Sequence, residues 1–328
     1  PNKYKHDNKW LDIVSRKETI SLKEGKDTTI IIRETHHGPI ISDIHPLLKE
    51  KDYAISMSWV GNKITNEISA LSQFSLVKNW NEFSTIVSEF SVPGQNIIYA
   101  DTLGNIGWRA AALIPIRKDG GSLVPRPGWD SDYDWKGFIP FDEMPYIYNP
   151  KKGYIATANN KIVDDSFPYY ISNQWAEPSR IERIEEWIES KEKLSPNDMK
   201  LLQNDRLSSF AREVTPNILK HLPNTLSGNQ KTAYEYLINW DFIESPNSSA
   251  ALVFHVILDE LLNNIYKDEL DLVDEKAFDA LVHFSMLPYR NIHWVLSTGK
   301  SSWIDDVRTK NKTESIEEII ISSYVRAI

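Results

Sequence analysis

The apolar residues of this chain change their period about halfway along. Up to about residue 160 they come in short β-branched runs, at 28–33, 53–59, 96–100, 106–116 and 154–158, separated by Gly, Pro and Asp. Such runs predict strands of half-buried sheet, with helices only at about 64–74 and 81–90. Beyond Pro178 the spacing turns helical, because Ile181, Ile184 and Trp187 recur every third residue on one face. Ser195-Pro196-Asn197-Asp198 supplies an N-cap, a proline at the first helical position and an acid at the capping-box position. Helices are predicted over about 196–204, 207–221, 230–241, 249–266, 275–284 and 313–327. Segment 250–262 is apolar on nearly every side, which places it at the centre of the helical half. The expectation is an α+β chain with a mainly β part over 1–177 and a mainly helical part over 178–328. It shows no repeat and no low-complexity tract.

Composition narrows the function classes. The 328 residues exceed the roughly 250–300 at which one core stops growing, which also predicts two subdomains. A net charge of −9 argues against nucleic acid, whose binding rests on cationic contacts to phosphate. No run approaches the ~18 consecutive apolar residues of a membrane span, and no signal peptide opens the chain. The absence of cysteine excludes disulfides, thiolate metal sites and a Cys nucleophile together.

Candidate chemistry centres on Asn159-Asn160, at the end of the 154–158 run and just before the helix that bears Arg180. Read from the residues alone, Asn159 is either a turn residue or an amide donor to a developing oxyanion. Arg180 is either its support or half of a surface ion pair with Glu177 or Glu182, worth about 0–1 kcal/mol. His36-His37-Gly38-Pro39 looks metal-like, but neighbouring side chains on a strand point to opposite faces. His36 and His37 are therefore expected in a structural turn. The other histidines lack zinc spacing, so no metal site is expected. Asp130, Asp132 and Asp134 alternate in a polar loop and are expected to be solvated rather than to hold a hard cation. Gly120-Gly121 follows Arg117-Lys118 without any nucleotide-binding context. Among the eleven tryptophans, Trp108, Trp129, Trp135 and Trp175 read as packing residues or as walls of a pocket for an apolar ligand.

Several ordered segments carry a family resemblance: THHGPI at 35–40, YADTLGNIGW at 99–108, IPIR at 114–117 and DWKGFIP at 134–140, then NPKKGYIATANN at 149–160, RIERI at 180–184 and QNDRLSSFA at 203–211. In these the chain resembles the β-subunit of the penicillin acylases, members of the N-terminal nucleophile hydrolases. The resemblance implies part of an αββα sandwich of antiparallel sheets with a large helical subdomain. It also implies an amidohydrolase acting on acylated small molecules, such as a β-lactam side chain or an N-acyl-homoserine lactone. The nucleophile would be a Ser exposed at the β-subunit N-terminus by self-cleavage, with its own amine as base. That accounts for the lack of a Ser-His-Asp arrangement. Pro1 has neither hydroxyl nor thiol, so the resemblance predicts an internal piece, inactive alone, whose partners are the remaining segments of its precursor. By the same resemblance Asn159 is the oxyanion donor, Arg180 its support, and the compartment periplasmic or extracellular. Gln203, Asp205 and Ser209 echo a family pattern, and a packing role is expected for them, with Asp205 capping the following helix and Ser209 turned inward. No cofactor is implied. A structural calcium is implied for the family, but Ile171 stands where one ligand acid would sit, which argues against it here.

Two rivals remain open on the sequence. One is a non-catalytic binding or scaffold protein that kept the acylase fold. The other is a metal-dependent hydrolase using His36 or His37.

Overall fold

A computed structural model describes residues 2–45, 53–120 and 123–328, so Pro1 and Gly121 lie outside the described residues. The chain divides into two units, residues 1–155 with 162–173 and residues 156–161 with 174–328. The short segment that carries Asn159 thus belongs with the helical unit rather than with the strands before it.

In the strand unit, Lys3–His6 (β1) pairs antiparallel with Lys9–Asp12 (β2), and Val14–Ile20 (β3) with Thr28–Thr35 (β4), in register from Val14↔Glu34 to Ile20↔Thr28. Gly38–Pro39 (β5) adds to the far edge of β4. A further sheet joins Gln95–Ala100 (β6), Ile106–Ala111 (β7) and Tyr146–Tyr148 (β8). Two helices, Glu67–Gln73 (α1) and Trp80–Val87 (α2), belong to the same unit. The pattern rules find β4, β6 and β7 but not β1–β3. All seven residues of β3 are exposed, so no buried face imposes the alternation by which strands are recognised. Conversely, 154–158 is apolar yet forms no strand. Ile155 instead packs against a small core of Trp108, Ala110, Ile139 and Met144, so side-chain burial rather than a ladder explains its composition. The 53–59 run contributes one bridge, Ser56 to Ile40.

The β6–β7 turn shows why its sequence is so specific. The Asp101 carboxylate accepts the backbone N–H of Leu103 (2.9 Å) and of Asn105 (2.9 Å), the Asn105 side-chain amide (2.8 Å) and the Tyr99 hydroxyl (2.8 Å). Gly107 is required by packing, since a Cβ there would sit 2.1 Å from the Trp80 ring.

The helical unit comprises Ser179–Glu189 (α3), Pro196–Gln203 (α4), Ser209–Leu219 (α5), Gly228–Ile238 (α6), Ser249–Val273 (α7), Ala277–Phe284 (α8), Leu287–Thr298 (α9) and Ile316–Ala327 (α10). Both arms of the predicted capping box form at Ser195 and Asp198. α7 is central as its composition predicts: Phe254, Ile257, Leu261, Leu262 and Ile265 are fully or almost fully buried, in one core with Leu237, Ile292, Val295, Ile320 and Tyr324. Each such side chain contributes about 1.5–3 kcal/mol by leaving water. At 25 residues α7 runs past the predicted end at 266, where Lys267 and Asp271 pair one turn apart at 3.2 Å and interrupt the apolar spacing that marked the helix. α9 was not expected, since Arg290, Asn291 and His293 interrupt its apolar spacing. It ends at Gly299, whose φ of 62° a side chain would strain. No helix of the described residues is long and apolar enough to cross a membrane.

Candidate functional site

The paired asparagines divide their work. Asn160 is the turn residue, with Oδ1 accepting the Ala158 N–H (3.0 Å) and Nδ2 donating to the Lys161 carbonyl (3.1 Å). Asn159 is exposed and lies in a bend rather than at a strand end. Its φ of 60° is a left-handed conformation that asparagine tolerates better than other non-glycine residues. The Ala176 N–H donates to the Asn159 carbonyl (2.8 Å) and fixes the bend from one side. From the other side the Arg180 guanidinium donates through Nη2 to the Ala158 carbonyl (2.7 Å) and to Asn159 Oδ1 (2.9 Å). With Oδ1 taken as acceptor, the Nδ2 amide group faces away from Arg180 as a donor and makes no hydrogen bond among the described residues. Arg180 has no ion pair among the described residues, which removes the alternative of a surface pair with Glu177 or Glu182.

α3 holds that guanidinium in place. Glu177 accepts the Ser179 N–H (2.8 Å) and hydroxyl (2.5 Å), closing the helix start. One turn beyond Arg180, Arg183 makes a two-pronged bond to Asp205, Nε to Oδ1 at 3.0 Å and Nη2 to Oδ2 at 2.7 Å. This bond holds the Asp205 carboxyl below its ordinary value. Asp205 is therefore an anchor for α3 and not the cap of α5; the cap is Ser208, whose hydroxyl accepts the Ala211 N–H at 3.2 Å. Ser209 does turn inward, 2% exposed. Arginine in the first turn of a helix works against the helix dipole, so its placement concentrates positive potential beside the Asn159 amide.

Trp108 is buried in the strand unit's core and donates its indole N–H to Asn96 Oδ1 (3.0 Å), a packing position. Trp175 is partly buried beside Ala176. Trp129 is exposed, and Trp135 lies under the Arg117 guanidinium.

The expectation that the rings of His36 and His37 diverge is overturned. The pair sits in a turn, where the alternation of extended backbone does not hold, and the ring centroids are 3.7 Å apart. Both converge on Asp134, His37 Nε2 at 2.9 Å and His36 Nε2 at 3.4 Å from Oδ1, while His6 Nε2 lies 3.0 Å from Oδ2. Burial works to raise the Asp134 carboxyl, but hydrogen bonds from the three imidazoles hold it below its ordinary value. Burial, then the neighbouring His37, lowers His36. His6 escapes sequence reasoning because 128 positions separate it from Asp134. The one local hint is the Asp7-Asn8 turn that follows it.

The other acids of the loop do not gather for a hard cation. Asp130 accepts the Asp132 N–H (3.0 Å) and Asp132 pairs with Lys118 (2.8 Å). Ile171 offers no side-chain oxygen. Among the described residues, Asp130 and Asp132 are thus engaged locally rather than turned towards one another as ligands of a hard cation would be.

Comparison with known proteins places these features in context. The model of the family described as Penicillin amidase matches residues 1–328. Acyl-homoserine lactone acylase QuiP of Pseudomonas fluorescens is 28% identical over 99% of this chain and 41% of its own length. Penicillin G acylase of Escherichia coli is 30% identical over 75% of this chain and 29% of its own length. A thermostable penicillin G acylase from Alcaligenes faecalis superposes with a TM-score of 0.72 at 23% identity, covering 99% of this chain and 62% of that one. The chain therefore spans about two fifths of the length of the first of these relatives, and its fold is that of the acylase.

Proposed function

Because this chain belongs to the penicillin amidase family, we propose that it carries the oxyanion side of an amide-hydrolysing site whose nucleophile is an N-terminal Ser outside this chain. The observation that carries the reading is the Arg180–Asn159 bond of 2.9 Å. It commits Oδ1 as acceptor, so Nδ2 is presented as a donor to the oxygen that gains charge when the substrate carbonyl is attacked. Arg180 adds a fixed positive charge beside that oxygen. In a site closed to water such a preset donor lowers the barrier more than it tightens ground-state binding. The left-handed backbone at Asn159 fits this role, since strained residues persist where the surroundings over-determine them.

The substrates are acylated small molecules. The names of the relatives point to two kinds, the side-chain amide of a penicillin and the amide of an N-acyl-homoserine lactone. The test is turnover of both by the full-length natural precursor after processing, unmodified and as Asn159→Ala. Loss of one oxyanion donor is expected to lower kcat about 10²–10³-fold with a much smaller change in KM. Full activity of Asn159→Ala would remove Asn159 from the chemistry. Binding without turnover by a processed, folded precursor would instead make this a non-catalytic protein that kept the fold.

A further inference from the structure

We propose that His6, His36 and Asp134 form a binding site for a divalent transition-metal ion, zinc in the first place, which fastens the β1–β2 hairpin to the loop at 130–134. One ligand atom from each of the three lies within 4.8 Å of the others. The His36 Nε2 to Asp134 Oδ1 distance of 3.4 Å matches the roughly 3.3 Å edge of a tetrahedron built on Zn–N and Zn–O bonds of about 2.0–2.1 Å. The His6 Nε2 lies 3.0 Å from the other oxygen, Oδ2, a hydrogen-bond length, so a small turn and withdrawal of the carboxylate presents one oxygen to an ion held by both imidazoles. The His6 and His36 rings meet edge to face with centroids 4.2 Å apart, and a ring nitrogen of each lies within 4.8 Å of the other.

The surroundings supply what such a site needs beyond its ligands. The Tyr4 hydroxyl accepts the His36 backbone N–H at 3.0 Å and lies 3.0 Å from His36 Nδ1. A hydroxyl both donates and accepts, so Tyr4 can accept a hydrogen bond from Nδ1–H once the Nε2 lone pair is given to a metal. That is the outer partner that fixes tautomer and ring orientation in metal-bound histidines. His37 Nε2, 2.9 Å from Oδ1, steers the Asp134 carboxylate in the same way. The hairpin is already set against the loop by two hydrogen bonds: the Asp7 N–H donates to the Trp129 carbonyl at 2.7 Å, and the Asp7 side-chain Oδ1 accepts the Ser131 N–H at 3.0 Å. The ligands are therefore largely pre-positioned. The His36 side chain is 31% exposed, which leaves a path for the ion from solvent. Imidazole with one carboxylate selects borderline ions over calcium or magnesium. This inference is independent of the amide-hydrolysis reading, because it concerns stability and metal uptake rather than turnover.

The experiment is zinc titration of the full chain, stripped with chelator and then dialysed, against a chromogenic competitor, with thermal melts in parallel. Uptake of one equivalent is expected, with a raised melting midpoint that chelator reverses and calcium does not reproduce. His6→Gln and His36→Gln should each weaken uptake by at least about a hundredfold, and His37→Gln by roughly tenfold, as loss of an outer partner does. Far-UV circular dichroism checks that each variant folds. Should one fail to fold, cobalt(II) in the unaltered chain decides: an intense tetrahedral d–d band is expected, and a weak octahedral spectrum would overturn the site. No zinc uptake, or uptake unchanged in the His6→Gln, His36→Gln double variant, would overturn it as well.

Discussion

The helical and strand units reach stability by different routes. Among the described residues, the helical unit gathers one continuous core around α7, from Val214 and Leu237 to Ile320 and Tyr324. The strand unit has two small clusters, one around Phe83, Val87 and Tyr99 and one around Trp108 and Met144. It also leaves Val14, Ile20 and Ile31 exposed on β3 and β4. What it lacks in burial it replaces with directed polar contacts: Asp101 in the β6–β7 turn, the Arg33–Asp43 pair (2.8 and 2.5 Å) and the histidines on Asp134. Hydrophobic burial tolerates many sequences of the right volume, whereas each polar network needs particular residues. The short, specific motifs of the strand unit and the diffuse periodicity of the helical unit follow from that difference.

The largest effect that tests the contrast is core truncation. Leu261→Ala, at a fully buried position, should cost about 2–5 kcal/mol in urea unfolding. Ile31→Ala, 67% exposed, should change stability by no more than about 0.5 kcal/mol. Equal costs would break the comparison and mean that the β3–β4 face is covered in solution, by self-association through an apolar surface.

Opposite responses to pH come next. Burial, then the neighbouring Asp268, pushes the Glu269 carboxyl of the helical unit up to about 7 from 4.5. The folded state keeps a proton that the unfolded chain releases, so this stabilisation is full below 4.5 and is lost as pH rises towards 7. In the strand unit the Asn105 side chain, then backbone N–H groups and the Tyr99 hydroxyl, hold Asp101 at about 2 against 3.8. Its contribution is present above 3.8 and is lost as pH falls towards 2. Melting curves across pH should lose the neutral-side decline in Glu269→Gln and part of the acid-side decline in Asp101→Asn. Unchanged profiles in both variants would mean that neither carboxyl sets its unit's pH response.

The smallest effect concerns the Asn159 bend. Glycine takes a φ of 60° without strain, while Asn159→Gly gives up the bond from Arg180 to Oδ1. The two changes oppose each other, so the melting midpoint should shift by the equivalent of no more than about 1 kcal/mol. A large loss would make Asn159 a structural keystone rather than a residue held in place for chemistry.

Much of this was legible in the residues. Helices α4 to α8 and α10 follow from apolar spacing and caps, as at Ser195 and Asp198. β4, β6 and β7 follow from β-branched runs. The exposed strand β3 was not legible, because without a buried face its sequence of Ser, Arg, Lys, Glu and Thr carries no alternation. α9 was hidden by the polar residues on its outer face. The Asn159–Arg180 pair was singled out by residue type and by family resemblance. The bond between them, and the division of roles between Asn159 and Asn160, required coordinates. So did the replacement of Asp205 by Ser208 as the α5 cap, since either residue type caps a helix and only the position of Arg183 decides which is free to do so.

By itself the sequence determined the α+β class, the change from strand to helix near the middle of the chain, the central helix α7 and the membership of the penicillin amidase family. These depend on local periodicity and on motifs contiguous in the chain. Tertiary structure alone decided that His6 meets His36, His37 and Asp134, and that Asn159 turns its Oδ1 to Arg180. Those arrangements join positions far apart in the chain, in bends whose side-chain directions no period specifies. There geometry follows from packing and hydrogen bonding rather than from spacing.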